Sequence, residues 1–258
     1  MSQLEALIFD VDGTLADTER DGHLVAFNMA FEEAGLDWHW SVELYGKLLA
    51  VTGGKERIRY YLQEFYPQER EETFPEPDNF DEFVADLHAA KTRFYTLLMA
   101  DGAVPLRAGV TRLFQEARAA NLRLAIATTT TPANVTALLT HTLGADAIDW
   151  FEVIAAGDVV PAKKPAPDIY TYAMEKMNLK PEQCLAFEDS HNGLLSSRGA
   201  DLKTIITVND YTNDHDFSGA DLVLSDFGEA DKPMTILAGR CDEPYFTLTT
   251  ARQIHQAD

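Results

Sequence analysis

Leu4-Glu-Ala-Leu-Ile-Phe9, followed at once by Asp10-Val-Asp-Gly-Thr14, is a short apolar run that ends abruptly in acidic and turn-forming residues. It reads as a strand buried on both faces that delivers a polar loop. Three further runs share this shape: Leu122 to Ala127, Cys184 to Phe187, and Lys203 to Val208, with shorter candidates at Val153 to Ala155 and Leu222 to Leu224. Helical spacing fills the intervals. Val110, Leu113, Phe114 and Ala117 fall at i, i+3, i+4 and i+7, and Val135, Leu138 and Leu139 follow Thr131-Pro132, which suit an N-cap and first helical residue. Strands alternating with helices predict an α/β fold, a Rossmann-like parallel sheet with helices on both faces.

The alternation breaks between Asp17 and Ala100, where His23, Phe27 and Phe31, and then Phe80, Phe83 and Leu87, recur at helical spacing. This predicts a small all-helical cap over residues 17–100, inserted after the first strand of a discontinuous core of 1–16 and 101–258. Trp38 and Trp40 are expected to pack inside it. Tyr66 to Asn79, acidic and bearing prolines, reads as a loop, and the tail beyond Asp231 has no clear period until Thr247 to Ile254.

Length and composition narrow the function. At 258 residues the chain suits one large domain or a domain with an insert. Forty-two acidic residues against 21 Lys and Arg leave a formal charge of -21, which opposes nucleic-acid binding. Cys184 and Cys241 lie far apart without metal-ligand spacing, so neither a disulfide framework nor a zinc site is expected. No apolar run approaches the roughly 18 residues of a membrane span, and the first residues lack signal-peptide character. A cytoplasmic location is expected, with no membrane partner.

In an open parallel sheet, ligands gather at the carboxyl ends of the strands. The residues ending the apolar runs form a coherent set: Asp10 and Asp12, then Thr128 and Thr129, then Glu188, Asp189 and Ser190, with Lys163-Lys164-Pro165 in the loop between the last two. Confined together, four carboxylates would repel one another unless a hard cation sat among them, and such oxygen ligands suit magnesium. A lysine, two hydroxyls and magnesium describe a phosphate site. Singly, each motif has a plainer structural explanation as a turn, a helix cap or an exposed loop. Their order along predicted strand ends is what favours chemistry.

Asp10-Val-Asp-Gly-Thr14, Thr128 after Leu-Ala-Ile-Ala, Lys164 before Pro165, and Glu188-Asp189-Ser190 together resemble the haloacid dehalogenase superfamily of phosphotransferases. The resemblance implies that Asp10 is the nucleophile accepting the phosphoryl group and that Asp12 protonates the leaving oxygen and then activates water. It implies magnesium held by the Asp10 carboxylate, the Asp12 carbonyl and Asp189, with Glu188 in support, and phosphoryl oxygens bound by Thr128 and Lys164. Relatives that cleave carbon–halogen bonds lack the second aspartate, so Asp12 points to a phosphate ester.

Within the insert, Val51-Thr-Gly-Gly-Lys-Glu-Arg57 sets flexible backbone before two cations. Thr52 to Arg57, Asp17-Thr-Glu-Arg-Asp-Gly-His23 with Ala26-Phe-Asn28, Ala127-Thr-Thr-Thr130, and Ala156-Gly-Asp-Val-Val160 before Lys163-Lys-Pro165 resemble the CbbY family. That family is linked to carbon fixation and removes the 1-phosphate of xylulose 1,5-bisphosphate. The resemblance implies a small sugar bisphosphate substrate, with Lys55 and Arg57 on the distal phosphate, and Glu19, His23 and Lys91 contacting the sugar. Thr52, Gly53, Gly54 and Thr129 join the expected substrate-binding set. A cap of this kind would close over the site and exclude water, and the chain is expected to act as a monomer. Two other chemistries fit the same residues: a beta-phosphoglucomutase-like isomerase and a non-catalytic sugar-phosphate sensor.

Overall fold

β1 (Ala6–Phe9) lies inside a seven-stranded sheet whose order is β3-β2-β1-β4-β5-β6-β7. The other strands are β2 (Arg123–Thr128), β3 (Phe151–Ala156), β4 (Cys184–Glu188), β5 (Lys203–Thr207), β6 (Leu222–Leu224) and β7 (Ile236–Ala238). The computed structural model describes residues 3–51, 53–70 and 77–257. Every neighbouring pair from β3 to β6 is parallel, and the β6–β7 pair is antiparallel. The chain goes from β1 to β2 on one side and later to β4 on the other. β1 and β4 therefore flank the point where the winding reverses, the place at which such sheets bind ligands.

Alternate residues of β1 and β4 explain why both runs are wholly apolar. Phe9 stacks on Phe187, with centroids 4.4 Å apart, and meets Phe114 of α6 (Val110–Ala119) edge-on at 5.1 Å. On the other face Ala6, Ile8 and Ala186 pack with Ile169, Tyr170 and Ala173 of α8 (Asp168–Met177). A strand buried on both faces needs side chains of one kind at every position. The backbone amide of Asp10 donates to Phe187 O at 2.9 Å, carrying the ladder one residue past β1. α7 (Pro132–Leu143) starts as predicted, with the Thr131 hydroxyl accepting from the Asn134 amide.

The sheet is parallel as expected, apart from β7, an antiparallel edge strand. All three of its residues are exposed, so it has no buried face to leave an apolar period. The acidic stretch from Tyr66 begins as helix α4 (Tyr66–Arg70) rather than loop; residues 71–76 lie outside those described. The tail carries α9 (Leu248–Gln256), and it also sends Phe246 under Phe187 at 5.6 Å, beside Phe227, which lies 5.4 Å from the same ring. Its role there is to complete the core beneath β4.

The chain divides into two compact units, Met1–Thr18 with Val104–Asp258, and Glu19–Ala103. The second is all helical, with α1 (Val25–Glu33), α2 (Val42–Leu48), α3 (Gly54–Tyr60), α4 and α5 (Phe80–Ala100). A π-helical segment, Thr18–Leu24, leads into α1, which packs against α5. Its core is aromatic: Trp40 sits within 4.8 Å of Phe27 and Phe31, and Trp38 lies edge-on to Phe31 at 5.3 Å. Asn28 bonds the backbone of Trp40 in both directions, at 2.9 and 3.0 Å. That pairing satisfies a polar side chain on an otherwise apolar helix. Among the described residues, no helix is long and apolar enough to cross a membrane.

Candidate active site

Asp10 follows β1, and Glu188 and Asp189 end β4, so adjacent parallel strands bring three carboxylates to one place. All three are buried, and each offers an oxygen within 4.8 Å of the others. Lys164 reaches in from the loop after β3, its Nζ 2.6 Å from Asp10 Oδ1 and 2.5 Å from Glu188 Oε1. The Tyr170 hydroxyl donates to the same Glu188 oxygen at 2.6 Å. The Asn209 side-chain amide donates to Asp189 Oδ2 at 2.7 Å.

The protonation energetics reflect this crowding. Burial opposes the Lys164 charge, but Asp10 and Glu188 outweigh it and hold the ammonium above its ordinary range. Burial pushes Glu188 up to about 7, partly countered by Lys164 and reinforced by Asp10. Asp189 rises well above the usual carboxylate range through burial and the adjacent Asp10 and Glu188 carboxylates. Burial and the same carboxylates hold the Tyr170 phenol protonated, so it acts as a donor. One ammonium leaves these three carboxylates short of positive charge. A compact set of hard oxygen donors with unrelieved repulsion is what a small divalent cation fits.

Asp12 stands apart from that trio. Its Oδ1 accepts from Thr18 Oγ1 at 2.6 Å. Between them Gly13 has φ +83°, and a Cβ there would meet Asp189 Oδ2 at 2.2 Å. Only glycine allows the loop to pass so close to Asp189. Thr128 closes β2, buried, its Oγ1 accepting from the Thr130 amide at 3.3 Å; Thr129 is exposed.

The second unit holds a different cluster. Arg57 is buried, donating to the Tyr45 hydroxyl at 2.6 Å, and Tyr45 in turn donates to Glu19 at 2.7 Å. Arg57 and Glu19 approach to 3.8 Å, and the Arg57 Nε has no hydrogen-bond partner among the described residues. Lys91 Nζ lies 2.8 Å from His23 Nδ1 and about equally over the rings of Phe27 and Tyr95, at 5.2 and 5.1 Å. His23 stacks on Tyr95 at 3.9 Å. Burial, with Lys91 and Arg57 adding to it against Glu19, lowers His23 to about 4, so at neutral pH it accepts from Lys91. Burial also lowers Lys91 to about 8, with Glu19 opposing and Arg57 assisting.

Lys55 and Arg57, two positions apart on α3, do not share a face; Arg57 is buried beside Tyr45 whereas Lys55 is exposed. Gly53 precedes the helix in an exposed turn, and a Cβ on Gly54 would strike the His88 ring at 2.5 Å. Thr52 lies outside the described residues. Tyr170, Asn209, Thr18, Tyr45 and Tyr95 were not anticipated. Tyr170, Asn209, Tyr45 and Tyr95 are uncharged and meet their partners far away in sequence or through helix phase, and Thr18, though inside the Asp17–His23 motif, shows no sign there of its bond to Asp12.

A family model for haloacid dehalogenase-like hydrolases matches residues 4–201. Protein CbbY of Rhodobacter capsulatus is 51% identical over 228 residues, covering 88% of this chain and 96% of that protein. A CBBY-like protein of Arabidopsis thaliana is 39% identical over 87% of this chain and 69% of its own length. Among solved structures, CbbY from Rhodobacter sphaeroides in complex with phosphate is 45% identical with a TM-score of 0.68, covering 87% of this chain and 95% of that one. An aspartate-to-asparagine mutant of the same CbbY has been solved with xylulose 1,5-bisphosphate, at the same identity and TM-score. With the buried acidic site at the ends of β1 and β4, these similarities establish that the chain belongs to the haloacid dehalogenase-like hydrolases, in their CbbY branch, and is a phosphatase.

Proposed function

We propose that the protein is a magnesium-dependent phosphatase of small sugar bisphosphates that removes the 1-phosphate of xylulose 1,5-bisphosphate through an aspartyl-phosphate. The observation that carries the chemistry is the buried cluster of Asp10, Lys164, Glu188 and Asp189. The similarity to the CbbY solved with xylulose 1,5-bisphosphate supports the choice of sugar. Asp10 attacks phosphorus, the bond from phosphorus to the sugar oxygen breaks, and Asp12 gives that oxygen its proton. Asp12, now a base, takes a proton from water as the water attacks the acyl phosphate, releasing phosphate and restoring Asp10. Lys164, beside Asp10, and Thr128 bind phosphoryl oxygens as charge moves onto the leaving group. The three carboxylates fit magnesium through their hard oxygens and their uncompensated charge. Asp10, Asp189 and the Asp12 carbonyl would hold the ion, with Glu188 in support. Once bound, it would neutralise phosphoryl charge and orient the group for in-line attack. In the second unit, Arg57 with its unpartnered Nε and Lys91 beside it hold the phosphate that is not attacked, while Glu19 and His23 contact the sugar.

The test is phosphate release with magnesium, comparing xylulose 1,5-bisphosphate, ribulose 1,5-bisphosphate, fructose 1,6-bisphosphate and sugar monophosphates. Xylulose 1,5-bisphosphate should turn over fastest. Equal turnover of monophosphates would refute the distal-phosphate role of Arg57 and Lys91. Conversion of beta-glucose 1-phosphate to glucose 6-phosphate with negligible phosphate release would establish a mutase instead. Asp10→Asn should lower turnover by about 10⁴-fold or more while ligand binding persists.

A further inference from the structure

Arg107 is a buried cation that neither the acidic cluster nor the reaction uses directly. Its side chain is 9% exposed, and its acceptors come from three separate segments of the core unit. One terminal nitrogen donates to the carbonyl of Gly13, and also to Thr207 O at 3.2 Å and Thr207 Oγ1 at 3.1 Å. The other donates to the carbonyl of Val208 and to Ser225 O at 2.7 Å. Nε lies 3.3 Å from an oxygen of Asp17, and the Arg107 amide donates to Leu15 O at 2.8 Å. Thr207 ends β5 and Ser225 follows β6. A single planar fork thus joins the loop after β1 to the carboxyl ends of two strands that do not neighbour it.

The loop needs such an anchor. β1 ends at Phe9, so Val11 to Thr14, including Asp12, lie beyond the ladder. The same guanidinium holds Val208, and the next residue, Asn209, is the donor to Asp189 Oδ2. One side chain therefore constrains both the loop bearing Asp12 and the loop that orients Asp189. A small displacement of either would misalign reacting groups whose rate depends on sub-ångström placement.

The geometry points to Arg107 as a positioning residue for hydrolysis, acting through Gly13 on the Asp10–Asp12 loop and through Asn209 on Asp189. The inference rests on the assignment of Asp10 and Asp12 to catalysis, but not on which sugar is the substrate. Lysine keeps the charge and lacks the fork, so it cannot span these acceptors together.

The experiment measures p-nitrophenyl phosphate hydrolysis with saturating magnesium for wild type, Arg107→Lys, Arg107→Gly and Asp10→Asn, with thermal melts of each. We expect Arg107→Lys to remain folded at the assay temperature, with kcat reduced by about 10- to 100-fold and KM within about threefold. Added guanidinium chloride at millimolar concentration should recover much of the Arg107→Gly loss, whereas sodium chloride of equal ionic strength should not. A folded Arg107→Lys with wild-type kcat would overturn the inference, as would losses that simply track the unfolded fraction without guanidinium rescue. Unfolding of both variants would overturn it too, assigning Arg107 to stability alone. If Asp10→Asn kept wild-type activity, the underlying catalytic assignment would fail instead.

Discussion

The acidic cluster of the core unit and the basic cluster of the helical unit are opposite solutions to burying charge. In the core, Asp10, Glu188 and Asp189 share Lys164 as their ammonium partner, and burial with mutual repulsion lifts the Glu188 and Asp189 carboxyls. In the helical unit, Arg57 and Lys91 share Glu19 as a counterion, and burial with mutual repulsion lowers Lys91. Each cluster is incomplete in the opposite sense. The first lacks positive charge and suits a cation, whereas the second lacks negative charge and suits an anion. Buried charges left uncompensated are costly, so both imbalances point to ligands rather than to stability.

The largest test of this contrast removes one acid from the core. Asp189→Asn should weaken magnesium binding, followed by titration calorimetry, by about 100-fold, and phosphatase activity should fall at least as far at fixed magnesium. Unchanged magnesium affinity would break the reading of the trio as a cation site. A smaller effect is expected from Arg57→Ala, which should raise KM for a sugar bisphosphate by about 10- to 100-fold, in keeping with the loss of a charge-assisted contact. The same variant should leave KM for p-nitrophenyl phosphate within about twofold, since that ester has no second phosphate to lose. Equal effects on both substrates would place Arg57 outside distal-phosphate recognition.

The subtlest effect concerns Lys91. With its value lowered to about 8, it is charged below that pH and neutral above it. Bisphosphate KM should therefore rise above pH 8, approaching about tenfold per pH unit, while p-nitrophenyl phosphate KM changes less. Lys91→Arg, which stays charged across this range, should remove that limb from the profile. A flat wild-type profile from pH 7 to 9.5 would show that Lys91 does not meet the anion.

The apolar runs and the motifs ending them were legible because parallel strands buried on both faces admit little besides apolar residues, and the polar residues that follow must lie at one edge of the sheet. For the same reason β7 was hidden: it is short, antiparallel and exposed on all three residues, so no burial pattern marks it. The helical insert was legible through its aromatic spacing, but the burial of Arg57 and the exposure of Lys55 were not, because neighbourhood along a helix is set by phase and not by sequence distance.

The charge of -21 and the order of Asp10, Asp12, Thr128, Lys164, Glu188 and Asp189 were determined by the sequence alone. They specified an acidic protein with a site at the carboxyl edge of its sheet. Only the tertiary structure decided how those charges are compensated. It set Tyr170 on Glu188 and Asn209 on Asp189, turned Asp12 toward Thr18, and buried Arg57 beside Tyr45. It also placed Arg107 among carbonyls far apart in the chain. Hydrogen bonds to neutral side chains and backbone oxygens have no charge pattern in sequence, and their short range means that folding must first bring the partners together.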